Sequence, residues 1–304
     1  MTLTSSRKGI NATVNDIKQL GELLLPLLKK GQSIYSILQS HKEIKLSEKT
    51  IYNYIENGVF QDVGVSISTI DLKRVVRRKI SKQKRNTYKP RKNNRYLIGR
   101  KYADFLIYME KNPNAKVVEM DTVYNDISNG PFLQTFKFRE YDLLICIYQT
   151  VKDSLHMLDG ILLLEKILGK EMFEKEVEVI LTDRGSEFIL AEEAEIREDG
   201  TRRTRMFYCD SMASWQKGSL ENVHLLVREI CPKGCDLHAL GLTSQEKANL
   251  ISTNINSYPK EKLHGRSSIQ LLHFYNEEMA KRLHDFGITE IAADEVILKP
   301  YLLK

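Results

Sequence analysis

The strongest constraint on the fold is a change of hydrophobic period near Lys116. Beyond it, β-branched and aromatic residues crowd into three short runs, residues 117–124, 132–138 and 143–149, each of strand length. Asn129-Gly130-Pro131 punctuates the first gap and residues 139–142 the second, which predicts an antiparallel meander. A helical pattern over residues 154–168 stops at Gly169, and strands follow over 177–181 and around 206–209. Strands, helix, strand, strand and helix in that order predict a mixed sheet with flanking helices.

Ahead of the sheet, residues up to about 60 follow helical spacing. Ile17, Leu20, Leu24 and Leu28 share one face, with Pro26 expected to kink or split their helix. Ile34, Ile37 and Leu38 form the inner face of a second helix. Ser47 is the N-cap of a third that runs to Asn57, stopped by Gly58 at the C′ position. Leu46, Ile51, Tyr54 and Ile55 point inward on it. Lys49, Thr50, Tyr52 and Asn53 then lie nearer solvent, a set able to touch phosphates and base edges. This is the pattern of a helix-turn-helix, and also of a small helical bundle for dimerisation. After the sheet, Thr243 is expected to cap a helix to about Ile255, and Ser267 or Ser268 another to about Leu283.

Charge favours the DNA-binding reading of the front. Residues 73–100 carry 13 Lys and Arg and no Asp or Glu. Laid along a phosphate backbone, such a stretch releases many counterions; the bland alternative is a solvated tether. Its candidate DNA contacts are Lys73, Arg74, Arg77, Arg78, Lys79, Lys82, Lys84, Arg85, Lys89, Arg91, Lys92 and Arg95, and Tyr88, Pro90 and Tyr96 favour an extended arm over a long helix. Beyond residue 100 the balance reverses, with 25 basic residues against 33 acidic. The expected divisions are a helical DNA-binding domain over 1–65, a basic arm over 66–115, a catalytic core over 116–262 and a helical C-terminal segment over 263–304. No apolar run is long enough to span a bilayer, which excludes a membrane protein. Residues 1–8 lack a secretory pattern, so a cytoplasmic, nucleoid-associated protein with four reduced cysteines is expected.

Three acids sit where apolar packing would not place them. Asp121 interrupts a strand. Asp183 ends one, ahead of an Arg184-Gly185 turn, at the edge where open sheets keep their sites. Glu221 opens a helix whose apolar stripe is Val223, Leu226, Val227 and Ile230, so Glu221 and Arg228 share the opposite face. Taken singly, each acid has an ordinary role in a turn or at a helix start. Converging, they repel unless cations neutralise them, and hard oxygen ligands select Mg²⁺ or Mn²⁺. Two such ions can activate a nucleophile and stabilise the leaving oxygen of a phosphodiester, with Arg228 meeting the phosphate.

Met120-Asp121-Thr122-Val123, then Leu181-Thr182-Asp183-Arg184-Gly185-Ser186-Glu187-Phe188, then Ser214-Trp215-Gln216-Lys217-Gly218-Ser219-Leu220-Glu221-Asn222 resemble the DDE transposases of bacterial insertion sequences. Pro232-Lys233-Gly234-Cys235-Asp236-Leu237 and Ile255-Asn256-Ser257-Tyr258-Pro259 are similar to the IS-thirty branch, and the front of the chain resembles that family's DNA-binding region. The resemblance implies a retroviral-integrase-like, RNase H-like core, with Asp121, Asp183 and Glu221 as the catalytic, metal-binding triad and Arg228 as its following basic residue. It implies two Mg²⁺ or Mn²⁺ ions, hydrolytic cleavage of double-stranded DNA at the element's terminal inverted repeats, and joining of the freed 3′-hydroxyl to target DNA. It also implies a homo-oligomer that pairs two ends. Arg184 and His224 depart from the family pattern, each standing where Asn is usual.

Other readings stay open at this level. An enzyme of the same fold could cut without joining, a catalytically inactive, sequence-specific DNA-binding regulator could derive from a transposase, and a dimeric protein could merely bridge DNA. Cys209, Cys231, Cys235 and His238 could approach a zinc site, but they lack a paired knuckle, and reduced thiols are the simpler reading. Trp215 is expected to anchor its loop rather than stack on a base. Glu187 and His156 are expected to be structural.

Overall fold

The computed structural model describes residues 12–72, 95–125 and 130–304. The candidate arm contacts from Lys73 to Lys92, and the Asn129 end of the first expected turn, lie outside the described residues. The described residues divide into two compact units.

The first unit is helical. Helix α1 (Val14–Lys29) starts in a reciprocal cap in which Asp16 N–H donates to Thr13 Oγ1 (3.1 Å) and Thr13 N–H to Asp16 Oδ2 (2.9 Å). Pro26 does not split it: buried Leu24, Leu27 and Leu28 hold the turns around the proline, and Lys30 N–H still bonds Pro26 O (3.1 Å). Helix α2 (Ile34–Ser40) begins at Ser33. Helix α3 (Glu48–Glu56) is capped by Ser47, whose Oγ accepts from Thr50 N–H (3.1 Å), and ends before Gly58 at φ +71°. A one-turn helix α4 (Val59–Asp62) had no sequence counterpart. Ile17, Leu24, Ile34, Ile37, Ile51 and Phe60 form the core.

Residues 258–266 and 292–299 belong to this unit although they are distant in sequence. Gln32 Nε2 donates to Ala293 O (2.8 Å) and Val296 O (3.1 Å), Lys30 Nζ to Asp294 O (2.6 Å), and Tyr258 Oη to Ser33 Oγ (2.8 Å). The contiguous divisions expected from sequence therefore differ from the units observed. Polar groups at the end of α1 find their partners in the C-terminal part of the chain, a pairing that leaves no local pattern.

The second unit is built on one sheet. Helix α5 (Tyr102–Lys111) comes first, within the stretch expected to be arm, because Phe105 packs against Val117, Val179, Leu181 and Phe207 of the sheet. Strands β1 (Val117–Val123), β2 (Phe132–Phe138) and β3 (Leu143–Gln149) form the meander. Helices α6 (Ser154–Leu168) and α7 (Lys170–Glu176), strand β4 (Val179–Thr182), helix α8 (Ala191–Glu195), strand β5 (Arg205–Tyr208) and helix α9 (Gly218–Ile230) follow. Strand order is β3-β2-β1-β4-β5, with β1, β2 and β3 antiparallel and β4 parallel to both β1 and β5. This is the mixed, helix-flanked sheet expected of an RNase H-like core. Its main apolar core lies on the α6 face, from Val118, Met120, Phe136, Ile161, Leu164 and Ile180.

The last helices are α10 (Gln245–Ser257), α11 (Ser268–Tyr275) and α12 (Glu277–Asp285). Thr243 does not cap α10; its hydroxyl bonds Gly241 O (3.5 Å). Ser267 does cap α11, but the helix expected to reach Leu283 breaks at Asn276, whose side chain accepts Met279 N–H (3.1 Å) and starts α12. Helix α10 lies along the exposed edge of β3 and pairs with it through side chains. Asn256 Oδ1 accepts Leu144 N–H (2.8 Å) and its Nδ2 donates to Leu144 O (2.7 Å). Ser252 Oγ accepts Cys146 N–H (3.0 Å), and Gln245 bonds both Cys146 O (2.9 Å) and Tyr148 N–H (2.8 Å). Between the Asn256 and Ser252 contacts two residues of strand advance about 6.8 Å and four of helix about 6.0 Å, so these steps match, and the longer side chain of Gln245, seven residues before Ser252, spans the rest. Asn256→Leu strands both polar groups of Leu144 in a buried site and is expected to lower unfolding free energy by about 2–6 kcal/mol in urea titrations, at about 1–3 kcal/mol per orphaned group.

Candidate active site

Strand register brings two carboxylates together. Parallel pairing sets Glu119 beside Leu181, and side chains two residues on share a face, so the same face of β1 and β4 carries Asp121 next to Asp183 at the C-terminal edge. One oxygen of each is tied to backbone: Thr122 N–H donates to Asp121 Oδ1 (2.7 Å) and Gly185 N–H to Asp183 Oδ1 (2.7 Å). Burial pushes the Asp183 carboxyl above its ordinary value, Asp121 adds to this, and Lys217 opposes it. The Lys217 side chain is only 4% exposed, and its Nζ donates to Asp121 Oδ2 (2.8 Å) and Met120 O (3.4 Å). Burial works against its charge, but the two aspartates outweigh that and hold the ammonium above the usual lysine range. An acid pair and a buried lysine thus form one charge-balanced group.

Glu119 sets where α9 begins. Its carboxylate, 1% exposed, accepts Leu220 N–H (2.6 Å) on Oε2 and pairs with Arg139 through Oε1 (2.6 Å). A buried anion against free N–H groups in the first turn is a favoured helix start. Arg139 also donates to Gln216 O (3.3 Å), and the Gln216 side chain is clasped by Asp210, receiving at Oε1 from Asp210 N–H (2.7 Å) and donating to Asp210 Oδ2 (3.1 Å). Lys217 is therefore delivered by a segment fixed on both sides. Sequence reading gave roles to neither Glu119 nor Lys217; the available signal was an acid two residues before Asp121, hence on the same strand face.

Glu221 is exposed on the first turn of α9. The structure does not gather it with Asp121 and Asp183: among the described residues no three His, Cys, Asp or Glu side chains form a metal-holding group. Arg228 does not share an open face with Glu221. It is half-buried and donates to Asn125 Oδ1 (2.7 Å) and Tyr124 O (3.0 Å), tying α9 to the chain after β1. His224 Nε2 lies 3.0 Å from Thr135 Oγ1, and that hydroxyl spends its one hydrogen on Asp121 O (3.1 Å), so Nε2 carries the proton. Burial, helped by Lys217 and Arg228 and opposed by Asp121, pushes the imidazole down to about 4.

Arg184 is held to Asp210 (2.7 Å). Glu187 is buried, pairs with Lys152 and accepts from Thr122 Oγ1 (3.3 Å), a structural tie beside Asp183. His156 Nδ1 lies 2.7 Å from Asp153 Oδ1, which also caps α6. The expected anchoring role of Trp215 is overturned: its ring is 73% exposed and meets Tyr102 only edge-on, because Gln216 and Leu220 already fix the loop. Cys146, Cys209 and Cys231 are buried free thiols pushed up to about 12 by burial, while Cys235 is partly exposed. In the first unit, Lys49 and Asn53 are exposed, Thr50 shares its hydroxyl with Ser47 Oγ (2.8 Å), and Tyr52 is half-buried against the helical core rather than turned to solvent. Arg95 opens a short 3₁₀ turn, Arg95–Leu97.

No family model matches the chain. Over 90 residues it is 34% identical to the transposase for insertion sequence element IS1086 of Cupriavidus metallidurans. The chain resembles a transposase. The match covers 30% of this chain and spans 24% of the length of that protein. Among solved structures, the chain is similar to the HTLV-2 integrase catalytic core domain in complex with magnesium. The trimeric form shares 15% identity over 51% of this chain and 94% of that one, at TM-score 0.33, and the dimeric form 15% over 53% and 97%, at 0.32. The simian T-cell lymphotropic virus intasome with PP2A regulatory subunit B56 gamma shares 15% over 53% and 56%, at 0.34. No helix among the described residues is long and apolar enough to cross a membrane.

The imidazole of His224 titrates near 6.5 when unfolded and near 4 when folded, so the unfolded chain takes up the proton first and stability falls as pH drops through that window. His224→Asn is expected to remove this loss, so urea unfolding of wild type and variant should diverge progressively between about pH 6.5 and about pH 4. Iodoacetamide is expected to label Cys235 in the native protein well before the three buried thiols.

Proposed function

We propose that this chain is a DDE transposase of the IS-thirty type, binding the ends of an insertion element and catalysing metal-dependent cleavage and strand transfer of double-stranded DNA. The observation that carries the reading is the Asp121–Asp183 pair at the C-terminal edge of parallel neighbours, in a group that already requires a cation. The donor set fits a hard divalent ion: Mg²⁺ is commonly held by one or two carboxylates, with waters and substrate phosphates completing its shell. When bound, such an ion would neutralise charge at the scissile phosphate.

The chain's own residues have separate duties in this reading. Asp121 and Asp183 would hold a first ion, and Glu221, exposed four residues after Lys217, would be the third carboxylate that a two-ion site requires. Glu119 and Arg139 fix the start of α9, and Arg228 holds its later turns to Tyr124 and Asn125. His224 stays neutral and orients Thr135 beneath Asp121. The exposed Lys49 and Asn53, with the basic arm, supply DNA contacts, and a homo-oligomer pairs the two ends. A plasmid carrying the DNA that flanks this gene tests the reading with Mg²⁺ or Mn²⁺. Wild type is expected to nick and join it. Glu221→Gln and Asp183→Asn should bind the DNA yet lose more activity than the roughly 10–100-fold typical of losing an outer-shell partner. Binding by all three proteins without cleavage under either metal would instead support a DNA-binding regulator.

A further inference from the structure

We infer that Lys217 is a built-in counter-ion that holds the place of the divalent metal, so that a metal ion must displace its ammonium from Asp121 in order to bind. This rests on the metal-site reading of Asp121 and Asp183 given above.

The argument starts from burial. Lysine is almost never fully buried unless paired, and the Lys217 side chain is only 4% exposed. Its ammonium is spent on Asp121 Oδ2 and Met120 O. The other oxygen of Asp121 is committed to Thr122 N–H, and Asp183 Oδ1 to Gly185 N–H. The Asp121 oxygen not tied to backbone is the one that Lys217 holds, and a divalent ion bound by this carboxylate would sit against the buried ammonium, a repulsion that drives Lys217 off. The backbone around Lys217 cannot retreat, because Gln216 is clasped by Asp210 and Leu220 N–H is bonded to Glu119. Displacement must come from rotation of the four-carbon stem, which in lysine is flexible.

A freed ammonium at this site needs a new anion, and the phosphate of bound DNA is the one the proposed reaction supplies. Metal loading and DNA binding then favour each other: without DNA, a metal must leave a buried ammonium unpaired; with DNA, it need not. Such coupling is reciprocal. Lys217 is thus a positioning residue, acting through Asp121 on metal affinity and making the site hold its ion weakly until substrate arrives.

The test is Mn²⁺ binding to the full chain without DNA, read from the electron paramagnetic resonance signal of free Mn²⁺. Lys217→Met is expected to bind Mn²⁺ about tenfold or more tighter than wild type, since a competing charge pair is gone. Adding a short duplex from the flanking DNA should tighten wild type more than the variant. Equal or weaker Mn²⁺ binding by Lys217→Met, with Asp121→Asn still abolishing binding in a wild-type background, overturns the inference and leaves the metal site standing. Failure of wild type, Lys217→Met and Lys217→Gln alike to bind Mn²⁺, with or without DNA, overturns both. Should the variants fail to fold, wild type alone decides. Acetic anhydride labelling of Lys217, followed by peptide mass spectrometry, is expected to rise when a saturating concentration of Mn²⁺ is added without DNA, and continued protection of Lys217 at saturating metal overturns the inference.

Discussion

Parallel pairing of β1 with β4 is the constraint from which the site follows. It sets two strand ends side by side with Asp121 and Asp183 on one face, a few ångströms apart across the ladder. Two like charges so placed, half withdrawn from water, are unfavourable unless a positive charge joins them. The chain supplies one in Lys217, and holding Lys217 there demands a fixed approach to α9. Glu119, on the same face of β1, provides it by bonding Leu220 N–H. The start of α9, the burial of Lys217 and the tilt of Asp183 toward its protonated form are consequences of one register.

Much of the sheet could be read from the chain because its signals are local. Periodicity located β2, β3 and α6 to the residue, and Asp121 and Asp183 stood out as acids inside or ending apolar runs. What escaped depends on partners far away in sequence. Glu119 is an acid in a strand, and nothing near it reveals that its oxygens meet Leu220 and Arg139. Trp215 was expected to anchor its loop, yet polar bonds to Gln216 and Leu220 already do so and leave the ring in solvent. Arg228 shares a computed helix face with Glu221, but a wheel cannot show that Tyr124 and Asn125 come within reach of the guanidinium.

The helical unit makes the same point. Its cap at Ser47 is short-range and was legible, and those at Thr13 and Ser33 are equally local, whereas its completion by residues 258–266 and 292–299 rests on single bonds such as those from Gln32 to Ala293 and Val296. Pro26 shows a local rule yielding to packing: the missing N–H is tolerated because three leucines nearby are buried.

The side-chain ladder from α10 to β3 also bears on how the chain is made. An open strand edge is a template for pairing with other chains, and here the cover arrives late: Leu144 waits for Asn256, 112 residues downstream. At roughly 5–20 residues per second, a ribosome leaves that edge bare for about 5–20 s after the strand is synthesised. During that interval the nascent sheet offers its edge to any extended chain nearby, and a chain cut short before α10 is left with a permanently adhesive flank.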